Sequence, residues 1–113
     1  VSSKSQLLKG VLEGCILAVI ASEEVYGYEL SVKLAKYGLS FVSEGSIYPV
    51  LLRMEKDKLI AGTLRDSPSG PKRKYYHLTE QGYKALGAFK EIWLDMKNSV
   101  DRILNLGSEK NDS

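Results

Sequence analysis

Three observations on this 113-residue sequence predict a mainly α-helical fold with one small β-hairpin. Apolar residues recur at helical spacing through three successive segments of the first half. A cluster of turn residues, SPSGP at 67–71, then separates two short β-compatible runs. Beyond them a heptad pattern is sustained for about three heptads.

Residues 7–21 set Leu8, Val11, Leu12, Cys15, Ile16 and Val19 at helical spacing with Leu17 and Ile20 flanking, which predicts a helix buried on more than one side. Gly10, Gly14 and Ala18 recur every four residues along it. Glycine inside a helix costs about 1 kcal/mol relative to alanine, so close approach of another helix is the expected compensation. In YGYELSVKLAKYG, residues 26–38, Leu30, Leu34 and Tyr37 form one stripe and Gly38 stands as a C-terminal stop. Ser43 is placed to cap the third helix, SEGSIYPVLLRMEKDKLI at 43–60, whose inner face is Ile47, Val50, Leu51 and Met54. Pro49 falls in its first turn if the helix starts at Ser46, and removes one hydrogen bond if it starts at Ser43.

LIAGTLRD and RKYYHLT supply the hairpin strands, which are marginal alone and must lean on the helices. Thr79 caps a last helix that runs to Leu106, with Leu86, Phe89, Trp93, Met96, Val100 and Ile103 spaced 3, 4, 3, 4, 3. At 1.5 Å per residue it spans roughly 40 Å, too long to fold onto the residues before it. The predicted organisation is a unit over 1–79, a helix over 80–106 and a disordered tail over 107–113.

Composition bounds the function. With 43% apolar and 27% charged residues, one compact domain with an appended element is expected. The longest apolar run, VLEGCILAVI, is interrupted by Glu13 and falls short of the roughly 20 residues that span a bilayer. No targeting segment precedes it, so the expectation is a soluble, cytoplasmic protein without membrane contact. The one cysteine, Cys15, cannot form an intramolecular disulfide and sits among apolar residues. His77 is the one histidine, and no zinc-ligand spacing, phosphate loop or nucleophile elbow is present. No catalytic residue, metal or cofactor is expected. The net charge is only +2, yet 65–76 alone holds Arg65, Lys72, Arg73 and Lys74 against Asp66.

Three helices followed by a hairpin with a basic tip is the order of a winged helix-turn-helix, here extended by a long C-terminal helix. In that arrangement the third helix enters the major groove of double-stranded DNA and the hairpin, or wing, reaches the backbone or minor groove. Ser46, Tyr48, Pro49, Arg53 and Lys56 then face outward, and Ser43 and Ser46 lie near a helix start whose free N–H groups suit a phosphate. The expected DNA-binding set is Ser43, Ser46, Tyr48, Pro49, Arg53, Lys72, Arg73 and Lys74. A plainer reading makes Arg53 and Lys56, beside Glu55 and Asp57, an ordinary solvated face and the basic turn a solubility device. A heptad stripe that outruns its domain calls for a partner surface, and a homodimer would set two recognition helices on one DNA face, over a near-palindromic site. Leu86, Val100 and Ile103 would line that interface, with Gly10 and Gly14 receiving the partner's long helix. The alternative is a winged module for protein contact or ligand sensing that does not bind DNA. Such a surface favours exposed apolar or aromatic patches over a basic wing and a hydroxyl-rich helix.

YGYEL at 26–30, GSIYPVLLRMEKDKLI at 45–60 and GPKRKYYHLTEQG at 70–82 together resemble the PadR family of bacterial transcriptional regulators, a likeness that covers residues 7–106. The resemblance implies a homodimeric winged-helix repressor of a stress, detoxification or efflux gene. The single C-terminal helix is similar to the smaller subgroup, in which an aromatic residue lines a flat pocket at the dimer interface. Trp93 stands at the matching place, 11 residues after Gly82, with Phe89 and Met96 as neighbours at the pocket or interface, and a small aromatic effector is the implied ligand. The chain departs from the family at Lys58, where glycine is usual. Lysine in the left-handed conformation costs about 1 kcal/mol, so the exit from the third helix is expected to differ.

Overall fold

The computed structural model describes residues 3–111. Its elements, in order, are helices α1 (Ser3–Leu8), α2 (Leu12–Ser22), α3 (Gly27–Lys36) and α4 (Glu44–Lys56), strands β1 (Ile60–Ser67) and β2 (Gly70–Leu78), and helices α5 (Glu80–Leu104) and α6 (Leu106–Asn111). This is the expected winged helix-turn-helix with a long C-terminal helix.

The first predicted helix is two. A turn over residues 9–11, closed by Lys9 N–H to Gln6 (3.3 Å) and Val11 N–H to Leu8 (2.8 Å), separates α1 from α2. Gly10 lies in that turn, where the cost of glycine within a helix does not arise. The buried face of α2 is Gly14, Ile16, Leu17 and Ile20, whereas Leu8, Leu12, Cys15 and Val19 pack only at its edge. The residues expected to flank the stripe are therefore its centre, because α2 packs against α3, α5 and β2 together.

Tyr37 is also corrected. It is 77% exposed, because α3 ends at Lys36 and Tyr37 is its cap. Gly38 follows with φ 105°, and Leu39 N–H bonds the Leu34 carbonyl at 2.9 Å to close the helix.

In α4 the Ser43 hydroxyl accepts from Ser46 N–H at 3.2 Å, so the helix starts at the earlier of the two possible places. Pro49 thus lies inside the helix and cannot donate the bond that its position would make to the Gly45 carbonyl. An interior proline costs about 3 kcal/mol. Ile47, Leu51 and Met54, each 0% exposed, offset it by roughly 2 kcal/mol apiece. Packing therefore decides for helix against local preference.

The exit of α4 is a two-bond cap. Lys58 N–H bonds the Glu55 carbonyl at 3.0 Å and Leu59 N–H bonds that of Met54 at 2.9 Å, with Lys58 at φ 62°. The exit therefore does not differ as expected: a lysine holds the left-handed position that glycine would fill without strain. The next bonds tie this exit to the end of the wing. Thr79 N–H meets the Leu59 carbonyl at 3.1 Å, while its hydroxyl donates to the Lys58 carbonyl at 2.6 Å and accepts from Gly82 N–H at 3.0 Å. A side chain at Gly82 would collide with the Leu59 carbonyl oxygen.

The strands pair antiparallel from Ile60–Leu78 to Ser67–Gly70, with an irregularity between Arg65 and Ser67. Val25 bridges to Tyr76 through Tyr76 N–H to its carbonyl at 2.9 Å, so the hairpin is anchored to the segment before α3.

Helix α5 fits its own domain only at its start. Leu86 is 6% exposed in the core, and the Phe89 ring occupies the space where a side chain at Gly14 would stand. Gly14 is thus filled by this chain's own helix instead of a partner's, and Leu86 is a core residue instead of an interface one. Farther along, Trp93, Met96, Val100 and Ile103 are exposed, with Ile92 and Leu104 beside them. The molecule measures 63 × 29 × 21 Å and its radius of gyration is 17.1 Å, against about 13 Å for a compact domain of this length. After Asn105, residues 106–111 form α6 where a disordered tail is expected from 107. The Asn105 side-chain amide bonds the Asp101 carbonyl at 2.8 Å and turns the chain, after which helical residues resume.

Replacing Lys58 by glycine is expected to stabilise the fold by up to about 1 kcal/mol, since the relief of left-handed strain exceeds the entropy glycine adds to the unfolded chain. Urea unfolding of the two proteins, with equal slopes and a higher midpoint for the variant, would check it.

Candidate nucleic-acid interface

Helix α4 stands as a ridge between two grooves. One, of about 400 Å³, lies between the helices and the wing and is lined by Tyr26, Tyr28, Glu44, Tyr48 and residues 69–74. The other, of about 380 Å³, lies on the α1–α2 side and includes Glu13, Phe41, Ser46, Val50 and Arg53.

The eight residues expected to meet DNA divide between these surfaces. Ser43, Ser46, Tyr48 and Pro49 are all exposed near the start of α4. The hydroxyls of Ser43 and Ser46 lie 2.9 Å apart and bond each other. Tyr48 donates to the Glu44 carboxylate at 3.3 Å. Burial, then the nearby Glu44 charge, pushes its phenol above the usual value, so it remains a neutral hydrogen-bond donor at physiological pH. Tyr48 shares the wing-side groove with Lys72, Arg73 and Lys74. Ser46 and Arg53 face the other groove, and Arg53 is held 2.8 Å from Glu13 of α2.

The three wing cations are not equivalent. Lys72 is exposed and has no ion-pair partner among the described residues. Arg73 sets its guanidinium 4.5 Å from the centre of the Tyr26 ring. Lys74 reaches Glu55 of α4, with its ammonium 2.7 and 2.8 Å from the two carboxylate oxygens. Glu55 raises the lysine's pKa through this hydrogen bond, which keeps the ammonium charged.

Tyr26 also lines the wing-side groove. Its ring meets Tyr75 edge-on, centroids 5.3 Å apart, and Tyr75 in turn lies 4.7 Å below the Arg65 guanidinium. Arg65 also pairs with Glu24. Arg65 and Arg73 are directly opposed across the hairpin, an arrangement that destabilises a sheet when both charges are free. Aromatic faces and one carboxylate accommodate both. The available sequence signal was the pair Tyr75 and Tyr76 directly after the basic run; nothing local links Tyr26 to it.

Phe89, Trp93 and Met96 do not form one pocket within a single chain. Phe89 packs on Gly14, while Trp93 (45% exposed) and Met96 (55% exposed) stand on the free part of α5. Gly10 is exposed in the α1–α2 turn, and Val100 and Ile103 continue the free stripe. Burial pushes the Cys15 thiol above its usual pKa, away from a reactive thiolate. Among the described residues, no cluster of three or more His, Cys, Asp or Glu could hold a metal ion, and no helix is long and apolar enough to cross a membrane.

Comparison with known proteins agrees with this geometry. The model of the transcriptional regulator PadR-like family matches residues 16–88. The structure is similar to that of a PadR-like transcriptional regulator from Bacillus cereus, with 63% identity, a TM-score of 0.81, and coverage of 88% of this chain and 97% of the other. A Streptococcus transcriptional regulator is 45% identical, with a TM-score of 0.79 over 88% of this chain and 98% of its own. Bacillus subtilis PadR in complex with operator DNA is 25% identical, with a TM-score of 0.63 over 70% of this chain and 46% of that one.

Proposed function

The chain belongs to the PadR-like family of transcriptional regulators, a DNA-binding family and not one of enzymes, and from that premise we propose that it is a homodimeric repressor. It reads a near-palindromic operator with α4 and grips the flanking backbone with the wing. The observation that carries this reading is the convergence of the start of α4 and the basic wing on one open groove. The solved complex of Bacillus subtilis PadR with operator DNA supports it by likeness of fold. A regulator of this kind works in the cytoplasm, on a stress, detoxification or efflux gene.

In this reading the free N–H groups at the start of α4, together with Ser43 and Ser46, meet phosphate, while Tyr48 and Pro49 lie against the groove floor. Arg53 reaches DNA only by exchanging Glu13 for a phosphate or base, which moderates its contribution. Lys72 and Arg73 neutralise backbone charge. Selection of bound fragments from the organism's genomic DNA tests the reading: recovery of an enriched two-fold-related sequence supports it, and failure to enrich any sequence in dilute buffer sinks it. Lys72→Ala and Arg73→Ala should each weaken binding to all sequences and flatten the slope of log affinity against log salt by about one unit. Tyr48→Ala should chiefly alter sequence preference, seen when the selection is repeated with the variant.

The exposed stripe Trp93, Met96, Val100 and Ile103 supports dimerisation, since an isolated helix this apolar would be poorly hydrated. Ile103→Asp should convert the dimer to monomer in sedimentation. Trp93→Ala should leave the dimer intact but weaken binding of planar aromatic compounds, measured by fluorescence titration. Unchanged binding would remove Trp93 from the effector site.

A further inference from the structure

Lys74 differs from its two basic neighbours: it faces away from Arg73, and unlike Lys72 it is engaged by a carboxylate. Alternation along β2 places Lys74, Tyr76 and Leu78 on the hairpin face turned to the core, and Arg73 and Tyr75 on the opposite one. From that inner face the Lys74 stem runs across Gly62 of β1, close enough that any side chain at 62 would displace it. Its ammonium lies 5.8 Å from the Tyr76 ring centre and ends between the two oxygens of Glu55. Glu55 is 29% exposed and Lys74 39%, so the pair is partly screened from water without being buried.

The surroundings give this pair a mechanical role. Among the described residues the wing meets the rest of the molecule at the junction at its base, at the Val25–Tyr76 bridge with Tyr76 and Leu78 in the core, at the Arg65–Glu24 pair with the aromatic ladder on its outer face, and at Lys74–Glu55 on its inner face. Among the described residues the last is the ion pair that joins the wing to α4. Phosphate contact would need Lys74 to abandon a carboxylate straddled at 2.7 and 2.8 Å, whereas Lys72 two residues earlier has no ion-pair partner among the described residues.

We propose that Lys74 is a positioning residue: with Glu55, and with Gly62 leaving room for its stem, it braces the wing at a fixed angle to the recognition helix and is not itself a phosphate ligand. The proposal rests on the DNA-binding reading only for its functional consequence, because the brace is a property of the free protein.

Two measurements separate these levels. In a Cys15→Ser background, spin labels at Ser69→Cys on the wing tip and Leu52→Cys on α4 report the wing angle by pulsed electron resonance without DNA. Glu55→Gln, Lys74→Met and Gly62→Ala should each broaden the distance distribution, and an unchanged distribution in all three would overturn the brace. Duplex binding is then followed across a salt series with an operator fragment from the genomic selection and a random duplex of equal length. Glu55→Gln and Lys74→Met should each weaken operator binding about fivefold, with the salt slope unchanged and the random duplex little affected. Two results contradict the proposal, because each identifies Lys74 as a phosphate ligand: tighter binding by Glu55→Gln, or a slope flattened by about one unit in Lys74→Met. The swap Glu55→Lys with Lys74→Glu should restore the narrow distance distribution. Failure of the wild type to bind any duplex would count against the DNA-binding reading and leave the resonance result to judge the brace.

Discussion

The rest of the molecule depends on the junction where the Lys58 and Leu59 carbonyls meet Thr79. Within a few ångströms α4 ends, β1 begins, β2 ends and α5 starts, and each transition uses a backbone group that another element supplies. Thr79 serves as cap for α5 and as partner for the exit of α4. Gly82 must be glycine because the Leu59 carbonyl occupies the place of a side chain. The strain at Lys58, the threonine cap and the missing side chain at 82 are thus parts of one constraint. It fixes the direction in which α5 leaves relative to α4.

Above that junction the wing must carry cations close together without being pushed apart. Coulomb repulsion between Arg65 and Arg73 would favour fraying of a two-stranded hairpin, which is marginal even when neutral. The Tyr26–Tyr75 pair removes the difficulty by offering a ring face to each guanidinium, and a cation over an aromatic face is stabilised by about 0.5–1 kcal/mol at exposed sites. The same contacts tie the wing to the start of α3. Charge needed at a surface is therefore held by side chains that also do structural work, and Lys72 alone among the three tip cations carries no such second duty.

Much of this was legible in the sequence, for definable reasons. Strong periodicity located α4, and the stop at Gly38 and caps at Ser43 and Thr79 located the boundaries, because those signals are local. The altered exit expected at Lys58 is not found: the lysine takes the left-handed position itself, at φ 62°, because bonds to the Met54 and Glu55 carbonyls close the helix there. What the sequence did not reveal depends on contacts distant along the chain. The break at Gly10 competes with a continuous apolar pattern, and nothing local says that Phe89 fills the gap at Gly14. Charge pairing was equally hidden. Arg53 and Lys74 read as free cations until Glu13 and Glu55, distant in sequence, are brought against them.

The long helix follows the same logic as the junction. Its first turns, through Leu86 and Phe89, are anchored in the core, so that α5 continues rigidly from a fixed starting direction. A helix of 25 residues extends roughly 37 Å at 1.5 Å per residue, so a small change in angle at its base moves its far end by several ångströms. In the proposed dimer, contact along the free stripe would therefore set the separation of the two α4 helices through the Thr79 junction. A ligand held near Trp93 would lie at the point where that lever leaves the domain. Any shift it imposed on the paired helices would pass to the spacing of the two α4 helices through the backbone and hydroxyl bonds that tie Thr79 to Lys58 and Leu59.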